Sequence, residues 1–227
     1  MSISSKRIFI CFIGVDGSGK STLAQRIYYR LRTTNDNVRL VYGRYLPFIS
    51  RIPILLARRF VLNNKFSHGY DNYVAHKKKI FGKAYIISDL YRYLILFDYY
   101  FQLIGKIIVP RLLGYSIVSD RYVYDTIIND IAVDMNLNFK DVRRIIDRFW
   151  SIAPKPDITF FVRIPEELAF KRKKDIPSLS YLKVRNDLYN KLSLHERFVT
   201  LDGTMNPEQL EGIVMKSIHM FLNQRYE

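Results

Sequence analysis

The stretch Gly14-Val15-Asp16-Gly17-Ser18-Gly19-Lys20-Ser21-Thr22 decides the fold. It follows an apolar run, Ile8 to Ile13, and precedes a helical pattern that begins near Ser21. Glycines at this spacing let the backbone curl so that its N–H groups point at an anion, and the lysine reaches the β- and γ-phosphates of a nucleoside triphosphate. The order of strand, glycine-rich loop and helix therefore predicts a phosphate-binding loop, or P-loop.

The predicted ligands of this loop are ATP and Mg²⁺. All nine residues from Gly14 to Thr22 are candidate ATP contacts. The hydroxyl of Ser21 is a candidate ligand of Mg²⁺, which prefers oxygen donors. The N-terminus of the following helix adds its partial positive charge to the same anion site.

Length and cysteine content limit the architecture. The chain has 227 residues, of which 48% are hydrophobic, and we expect one domain spanning residues 1–227 with a sizeable core. The single cysteine, Cys11, lies inside the first apolar run, where we expect it to pack in the core. One cysteine cannot form a disulfide within the chain, which favours a reducing compartment such as the cytoplasm. The histidines have no zinc-binding spacing: they are His68, His76, His195 and His219.

The chain is strongly basic, with 36 Lys and Arg against 21 Asp and Glu, a net charge of +15. This charge indicates an anionic partner, which a nucleic acid, an anionic membrane surface or a small polyphosphate would satisfy equally. Basic residues concentrate between positions 51 and 83 and again at 171–174. A solvated surface is the ordinary interpretation of the first group.

A second apolar stretch, Tyr93 to Val109, approaches membrane-spanning length. Asp98, Gln102 and Lys106 recur within it at steps of four, which places them on one narrow stripe of a helix. A carboxylate in hydrocarbon carries a large penalty. We therefore expect a mostly buried core helix with one face on a cavity.

Short apolar strands alternate with helices along the chain. The predicted strands are Arg7–Ile13, Val38–Tyr42, Tyr115–Ser119, Asp157–Arg163 and Arg197–Leu201, and the clearest helices are Ser21–Arg32 and Glu208–Leu222. This alternation predicts an α/β fold with a parallel sheet covered on both faces. Ligands of such folds bind at the carboxyl ends of the strands.

Charged residues follow two of these strands. In Ser119-Asp120-Arg121-Tyr122, Asp120 is suited to hold or orient Mg²⁺ and its waters, and Arg121 to make a forked contact with an acceptor phosphate. An Asp-Arg pair that caps the next helix is the alternative. Arg44 follows the second strand and is a second candidate phosphate ligand, with an exposed loop arginine as its alternative.

Five segments together resemble the thymidylate kinases, a nucleoside monophosphate kinase family, almost end to end. They are the phosphate loop with Asp16, then Arg44 and Pro47, Ser119 to Tyr122, Lys155 to Phe161 continued by Pro165 to Ala169 and Arg172, and Thr200 to Thr204. The resemblance implies a P-loop three-layer α/β/α fold whose five-stranded parallel sheet has the order 2-3-1-4-5. It also implies an acceptor-binding insertion at about 45–113 and a helical lid at about 165–192.

The resemblance further implies a function, namely phosphorylation of dTMP to dTDP by ATP, in a cytoplasmic enzyme that is usually a homodimer. The sequence itself leaves the oligomeric state open, with the apolar helix from Leu94 to Val109 as a candidate interface. The implied catalytic residues are Lys20, Asp120, Arg121 and Arg172; the implied ATP contacts outside the loop are Arg172, Asp202, Gly203 and Thr204; the implied acceptor contacts are Asp16, Arg44, Phe97, Asp98, Arg121 and Tyr122; and the implied metal ligands are Ser21 and Asp120.

The lid also has a direct physical interpretation. Lys171-Arg172-Lys173-Lys174 places four cations on a segment able to swing over the nucleotide. The phosphate loop contains no arginine, so the lid is the predicted source of the cation that stabilises the transition state, with Arg172 as the candidate. A solvated helix end is the alternative interpretation of these four residues.

Two features depart from the family, both on the acceptor side. The thymidylate kinases carry an arginine about one helical turn beyond an aromatic residue of the acceptor-binding helix, where this chain has Leu96-Phe97-Asp98-Tyr99-Tyr100-Phe101. Between Arg44 and this helix lie roughly forty residues rich in Arg, Lys and Tyr, and a connection this long is usually functional. The donor side is therefore typical of the family, and the acceptor stays open.

Three other interpretations remain from the sequence. One is a kinase of the same build that acts on another phosphorylated or hydroxyl-bearing metabolite. Another is a nucleic-acid-binding ATPase, which the net charge alone favours, since no aromatic-basic repeat accompanies it. The third is a membrane-surface module that uses the basic amphipathic stretch Arg51 to Val61, against which a helix packed on the acceptor region is the commoner outcome.

Overall fold

The computed structural model describes residues 7–52 and 85–226, without the side chains of 85–88 and 226. Its elements in chain order are β1 (Phe9–Ile13), α1 (Lys20–Arg32), β2 (Val38–Tyr42), α2 (Tyr85–Leu103), β3 (Ser116–Asp120), α3 (Val123–Thr126), α4 (Phe139–Phe149), β4 (Ile158–Arg163), α5 (Glu166–Arg172), α6 (Leu179–His195), β5 (Val199–Asp202) and α7 (Pro207–Tyr226). Helix α2 continues through a π-helical turn, Ile104–Ile108, into Val109–Leu112, and α3 continues through a second, Ile127–Ala132, into Val133–Met135.

The five strands form one parallel sheet in the order β2-β3-β1-β4-β5. This confirms the α/β class and the strand order implied by the family resemblance. In the register of the sheet, Phe12 of β1 is paired with Asp120 of β3 and with Phe160 of β4. The carboxyl ends of β1 and β3 therefore meet at one edge.

The central strand separates two hydrophobic cores. Every residue of β1 is buried, and because side chains alternate along a strand, Phe9, Cys11 and Ile13 pack with α2, α3, α4 and α6 while Ile10 and Phe12 pack with α1 and α7. Each fully buried large apolar side chain contributes about 1.5–3 kcal/mol. Cys11 is a core residue, as predicted.

Four strands differ from the sequence prediction by one or two residues at their ends, and the differences at β3 and β5 bear on the site. The third strand includes Asp120, which is paired with Phe12 on one side and with Tyr42 on the other. The fifth begins at Val199 rather than Arg197, because Arg197 has a left-handed backbone with φ 51° that cannot continue a strand. The shift at β3 fixes Asp120 in the sheet, at its carboxyl edge.

The prediction of a mostly buried helix from Tyr93 to Val109 was wrong. Among the described residues, Asp89–Leu112 is the one helix long and apolar enough to span a membrane by length and composition, and 33% of its apolar window is buried. One face is exposed and carries Leu90, Tyr93, Phe97 and Phe101. Composition shows that a helix is apolar but not how many neighbours the fold gives it.

The polar stripe of α2 contacts a loop rather than a cavity. Asp98 is fully buried, and its Oδ2 accepts hydrogen bonds from the backbone N–H groups of Phe48 and Ser50, both at 3.0 Å, and from Ser50 Oγ at 2.6 Å. Gln102 Nε2 donates to the carbonyl of Leu46 at 2.7 Å. The stripe thus fixes the segment that follows Arg44. The stretch that was a candidate membrane-surface module, Arg51 to Val61, lies outside the described residues beyond position 52, as does most of the basic region 51–83.

The contacts of Asp98 predict a structural role that mutagenesis can measure. Asp98→Ala leaves the N–H groups of Phe48 and Ser50 without their acceptor, and we expect it to lower the free energy of unfolding by about 2 kcal/mol or more. The matched control is Asp89→Ala on the same helix, whose carboxylate is largely exposed and pairs with Arg92, and we expect a change below about 0.5 kcal/mol. Denaturant unfolding measures both, and equal losses in the two variants would contradict the assignment.

Candidate active site

The predicted phosphate loop connects β1 to α1. Gly14, Gly17 and Gly19 have φ values of 144°, 82° and 90°, which side chains other than glycine rarely adopt. Lys20 is the first residue of α1 and is buried, and its Nζ donates to the carbonyl of Val15 at 2.8 Å. The loop therefore curls around its own lysine, with the helix N-terminus directed at the space above it.

The charge of Lys20 is only partly compensated within the protein. Burial and the nearby charge of Arg121 together lower its pKa to about 8, although the carboxylate of Asp16 opposes this shift. A group in this state gains from a bound anion, because a polyphosphate would favour its protonated form. The electrostatics of the loop thus match a phosphate site.

Asp16 joins the phosphate loop to the other side of the site. Its Oδ1 accepts from Arg121 Nη2, and its Oδ2 accepts from the hydroxyl of Tyr181 at 3.0 Å. The Nζ atoms of Lys20 and Lys173 lie 4.0 and 3.9 Å from Oδ1. Burial raises the pKa of Asp16, but the charges of Arg121 and Lys20 outweigh it and hold this pKa well below its usual value, so Asp16 is ionised.

Arg121 reaches Asp16 because the backbone turns sharply after β3. Its φ is 70°, an uncommon left-handed conformation for a non-glycine residue, and its N–H donates to the carbonyl of Phe12 at 2.9 Å. Gly43 packs against this turn so closely that a Cβ there would lie 2.4 Å from the carbonyl oxygen of Arg121. The guanidinium is buried and contacts Asp125 Oδ1 at 3.4 Å as well as Asp16. Its Nε has no hydrogen-bond partner among residues 7–52 and 85–226.

Two oxygen groups at the mouth of the loop fit Mg²⁺. Asp120 Oδ1 is buried and has no hydrogen-bond partner within the described part of the chain, and Ser21 is exposed at the start of α1. Mg²⁺ is bound through one or two such oxygens together with waters and substrate phosphates. Among the described residues no cluster of three His, Cys, Asp or Glu side chains could hold a metal without a nucleotide.

Arg44, the second candidate phosphate ligand, is held by a carboxylate. Its Nε and Nη2 make a forked contact with Asp130, with distances of 3.0 and 2.7 Å. Asp130 lies in the π-helical continuation of α3, the helix that follows Arg121. Both predicted acceptor arginines therefore lie at the carboxyl edge of the sheet, each paired with an acidic side chain.

The structure does not bring Tyr122, Phe97 and Asp98 to this cluster. Tyr122 is fully buried, donates to the carbonyl of Pro154 at 2.9 Å and packs edge-on against Phe9. Phe97 is 57% exposed on the outer face of α2 and packs against Phe101. Asp98 is committed to the loop ending at Ser50. Their predicted acceptor roles gain no support from their contacts, because the turn at Arg121 and the orientation of α2 direct them elsewhere.

Five side chains of the site were missed from the sequence. They are Asp125 and Asn129 after β3, and Tyr181, Arg185 and Tyr189 on α6. Tyr189 donates to Asp125 Oδ1 at 2.8 Å, and Asn129 Nδ2 donates to the Tyr189 hydroxyl at 3.2 Å. Their spacing of four residues was a readable signal, since it places each set on one helical face.

The predicted lid packs directly on the phosphate loop. A Cβ at Gly17 would lie 2.4 Å from the carbonyl oxygen of Ala169 in α5. Arg172 Nη1 donates to the carbonyl of Gly203 at 2.9 Å, and Gly203 follows β5 next to the loop. Arg172 is thus tied to the 202–204 turn, which Asp202 closes by accepting from Thr204 N at 2.9 Å. Of the lid cations, Lys173 approaches the phosphate loop, with its Nζ 3.9 Å from Oδ1 of Asp16.

A parallel sheet of this order, a P-loop closing on a buried lysine and an arginine cluster at the same edge define a P-loop nucleotide kinase. A solved structure with this fold is deoxyadenosine kinase from M. mycoides with bound dATP, with a TM-score of 0.54, 17% identity and coverage of 93% of this chain and 100% of that one.

Curated proteins similar to the chain narrow the class. The thymidylate kinase of Rickettsia bellii (strain RML369-C) is 24% identical over 234 residues, with 97% of this chain and 100% of that protein covered. The probable thymidylate kinase of Methanosarcina barkeri is 27% identical (93% and 95% covered), and the thymidylate kinase of Thermosipho africanus is 27% identical (93% and 99% covered). No protein-family model matches the chain. The chain is therefore a nucleotide kinase similar to the thymidylate kinases over nearly its full length, which confirms the resemblance.

Replacing glycine by alanine should have opposite effects on stability at Gly17, which contacts α5, and at Gly212, where a Cβ would lie in open space. Gly17→Ala requires a positive φ and overlaps Ala169, and we expect it to cost about 1–3 kcal/mol of stability and to weaken ATP binding. Gly212→Ala places a methyl group in open space on α7 and should stabilise the protein by about 0.5–1 kcal/mol without affecting ATP. Thermal unfolding with and without ATP distinguishes the variants, and a Gly17→Ala protein with normal ATP binding would contradict this view of the loop.

Proposed function

We propose that the chain transfers the γ-phosphoryl group of ATP to a nucleoside monophosphate, and that dTMP is the acceptor. The observation that carries the proposal is the contact between Asp16 and Arg121, which joins the phosphate loop to the turn after β3. Because of it, the cation suited to an acceptor phosphate lies beside the loop suited to ATP. Curated relatives named thymidylate kinase, similar over nearly the full chain, support dTMP as the acceptor.

On the donor side, the backbone N–H groups of the phosphate loop and Lys20 would bind the ATP phosphates. Ser21 and Asp120 would hold Mg²⁺ and its waters, and the bound ion would neutralise charge on the β- and γ-phosphates. The turn 202–204 with Arg172 would contact the adenine side of the nucleotide. Closure of α5 and α6 over the loop would exclude water, which prevents wasteful hydrolysis.

On the acceptor side, Arg121 and Arg44 would bind the phosphate of the monophosphate. Each is already oriented by a carboxylate, so little side-chain entropy is lost when the acceptor binds. An anionic phosphate oxygen is itself the nucleophile, so the transfer requires no general base. The protein acts by aligning two phosphates and neutralising their charge.

A kinase of the same build with a different acceptor is the second candidate. It is favoured by the position of Phe97 and Asp98, which lie outside the arginine cluster, and by the absence of an arginine in the segment from Leu96 to Phe101. These residues would be expected to read the base in a typical family member. The two candidates share every donor-side residue and differ only in which acceptor is turned over.

A coupled assay with ATP, Mg²⁺ and a panel of acceptors tests the proposal. The panel contains dTMP, dUMP, dAMP, dCMP, dGMP and the corresponding nucleosides. We expect turnover of dTMP, and a fall of about a hundredfold or more in Lys20→Ala. Turnover of another monophosphate or of a nucleoside would select the second candidate. Full activity of Lys20→Ala, or ATP hydrolysis stimulated by polynucleotide and by no member of the panel, would contradict both.

Arg172, the last residue of α5, and Lys173, which follows it, should have different kinetic roles. Lys173 lies near Asp16, so we expect Lys173→Ala to lower kcat by about tenfold or more with little change in the KM for ATP. Arg172 contacts Gly203, so Arg172→Ala should mainly raise the KM for ATP. Lys174→Ala removes the same charge from the exposed segment and is the control. If kcat falls in Arg172→Ala and not in Lys173→Ala, then Arg172 and not Lys173 is the cation that stabilises the transition state.

A further inference from the structure

Arg185 is a buried guanidinium with neutral hydrogen-bond partners. It is 4% exposed, its Nε donates to Asn129 Oδ1 at 2.8 Å, and its Nη1 donates to the carbonyl of Tyr181 at 3.0 Å. Its Cζ lies 3.5 Å from the centre of the Tyr181 ring. In residues 7–52 and 85–226, no ion pair joins this guanidinium to a carboxylate. Arg44 and Arg121 differ in this respect, since Asp130 and Asp16 pair with them.

Buried charges are ordinarily paired, and a buried charge without a charged partner marks a candidate ligand site. Asp130 pairs with Arg44, and both Asp16 and Asp125 contact Arg121, whereas Arg185 contacts no carboxylate among the described residues. An anion is the ligand that fits such a guanidinium.

Two chains of contacts connect Arg185 to Arg121 and to the phosphate loop. Through Asn129, Tyr189 and Asp125 it is connected to Arg121. Through Tyr181, whose hydroxyl donates to Asp16, it is connected to the phosphate loop. Burial raises the pKa of Tyr181 to about 12 against the opposing charges of Arg185 and Arg44, so both guanidiniums act on this one ring.

We propose that Arg185 is a third ligand of the acceptor phosphate and makes the enzyme prefer a phosphorylated acceptor over the corresponding nucleoside. The inference rests on the proposed function, which it deepens by naming the group that selects the substrate class. Arg185 belongs to α6, within the predicted lid, whereas Arg44 and Arg121 follow strands of the sheet. An acceptor phosphate bound by all three would therefore tie α6 to the sheet edge.

The test compares Arg185→Gln and Arg185→Lys with Lys183→Gln in the 227-residue chain. Lys183 lies two residues away on the same helix, exposed and lining a separate cavity with Asn136 and Phe139, so its variant removes one charge outside the site. We expect Arg185→Gln to raise the KM for the monophosphate about ten- to a hundredfold while the KM for ATP changes less than about threefold. Arg185→Lys keeps a charge without the fork and should fall between.

A binding measurement without turnover separates ligand contact from fold support. The ratio of the Kd for the nucleoside to the Kd for its monophosphate should fall at least about tenfold in Arg185→Gln and stay unchanged in Lys183→Gln. An unchanged ratio, or equal weakening of nucleoside and monophosphate, would overturn the proposal. If Arg185→Gln does not fold, Arg185→Lys decides, because a purely structural role predicts no change in the ratio for a folded variant.

The anion site at Arg185 can be tested even if the proposed kinase function is wrong. If the wild-type chain phosphorylates no monophosphate, inorganic phosphate alone becomes the probe. Thermal stabilisation of the wild type by phosphate, lost in Arg185→Gln or reduced in Arg185→Lys, would support the anion site without a kinase acceptor. Equal stabilisation of wild type and variants would overturn the site itself.

Discussion

The ion pair between Asp16 and Arg121 is the contact on which the site depends. Its partners are 105 residues apart in the chain and come together because β1 and β3 are adjacent and parallel, with Phe12 in register with Asp120. Asp16 belongs to the loop after one strand and Arg121 to the turn after the other. The pair thus links the donor side to the acceptor side at the one edge where both strands end.

The same edge shows a consistent electrostatic arrangement. Arg44, Arg121 and Lys20 each lie next to a carboxylate, so the protein carries its own negative charges where substrate phosphates would bring theirs. Such pairs orient the cations before a ligand arrives and limit the cost of burying them. Arg185 departs from this arrangement, since its hydrogen-bond partners are neutral, and this difference distinguishes its role from those of the others.

Several particulars were readable from local sequence. The phosphate loop is a short contiguous pattern whose curled backbone requires positive φ angles, and Gly14, Gly17 and Gly19 all have them in the structure. Arg44 and Arg121 follow apolar strands, and strand ends in a parallel sheet share an edge. The predictions that the contacts do not support concern side-chain direction. Tyr122 follows Arg121 in sequence but packs in the core, because the backbone turns sharply at Arg121, whose φ is 70°. Asp98 lies on a readable polar stripe, yet its partner is a loop about fifty residues earlier, which no periodicity identifies.

The sequence by itself determined the class of fold, the loop suited to ATP and the family to which the chain is similar, because these depend on contiguous motifs and on the alternation of strands and helices. The tertiary structure decided which charges meet. Only the packing of α6 against the helix after β3 brings Tyr181, Arg185 and Tyr189 to Asp16, Asn129 and Asp125. The physical reason is that motifs act through backbone geometry, which is local, whereas the electrostatic environment of a buried side chain is set by groups from every element packed against it.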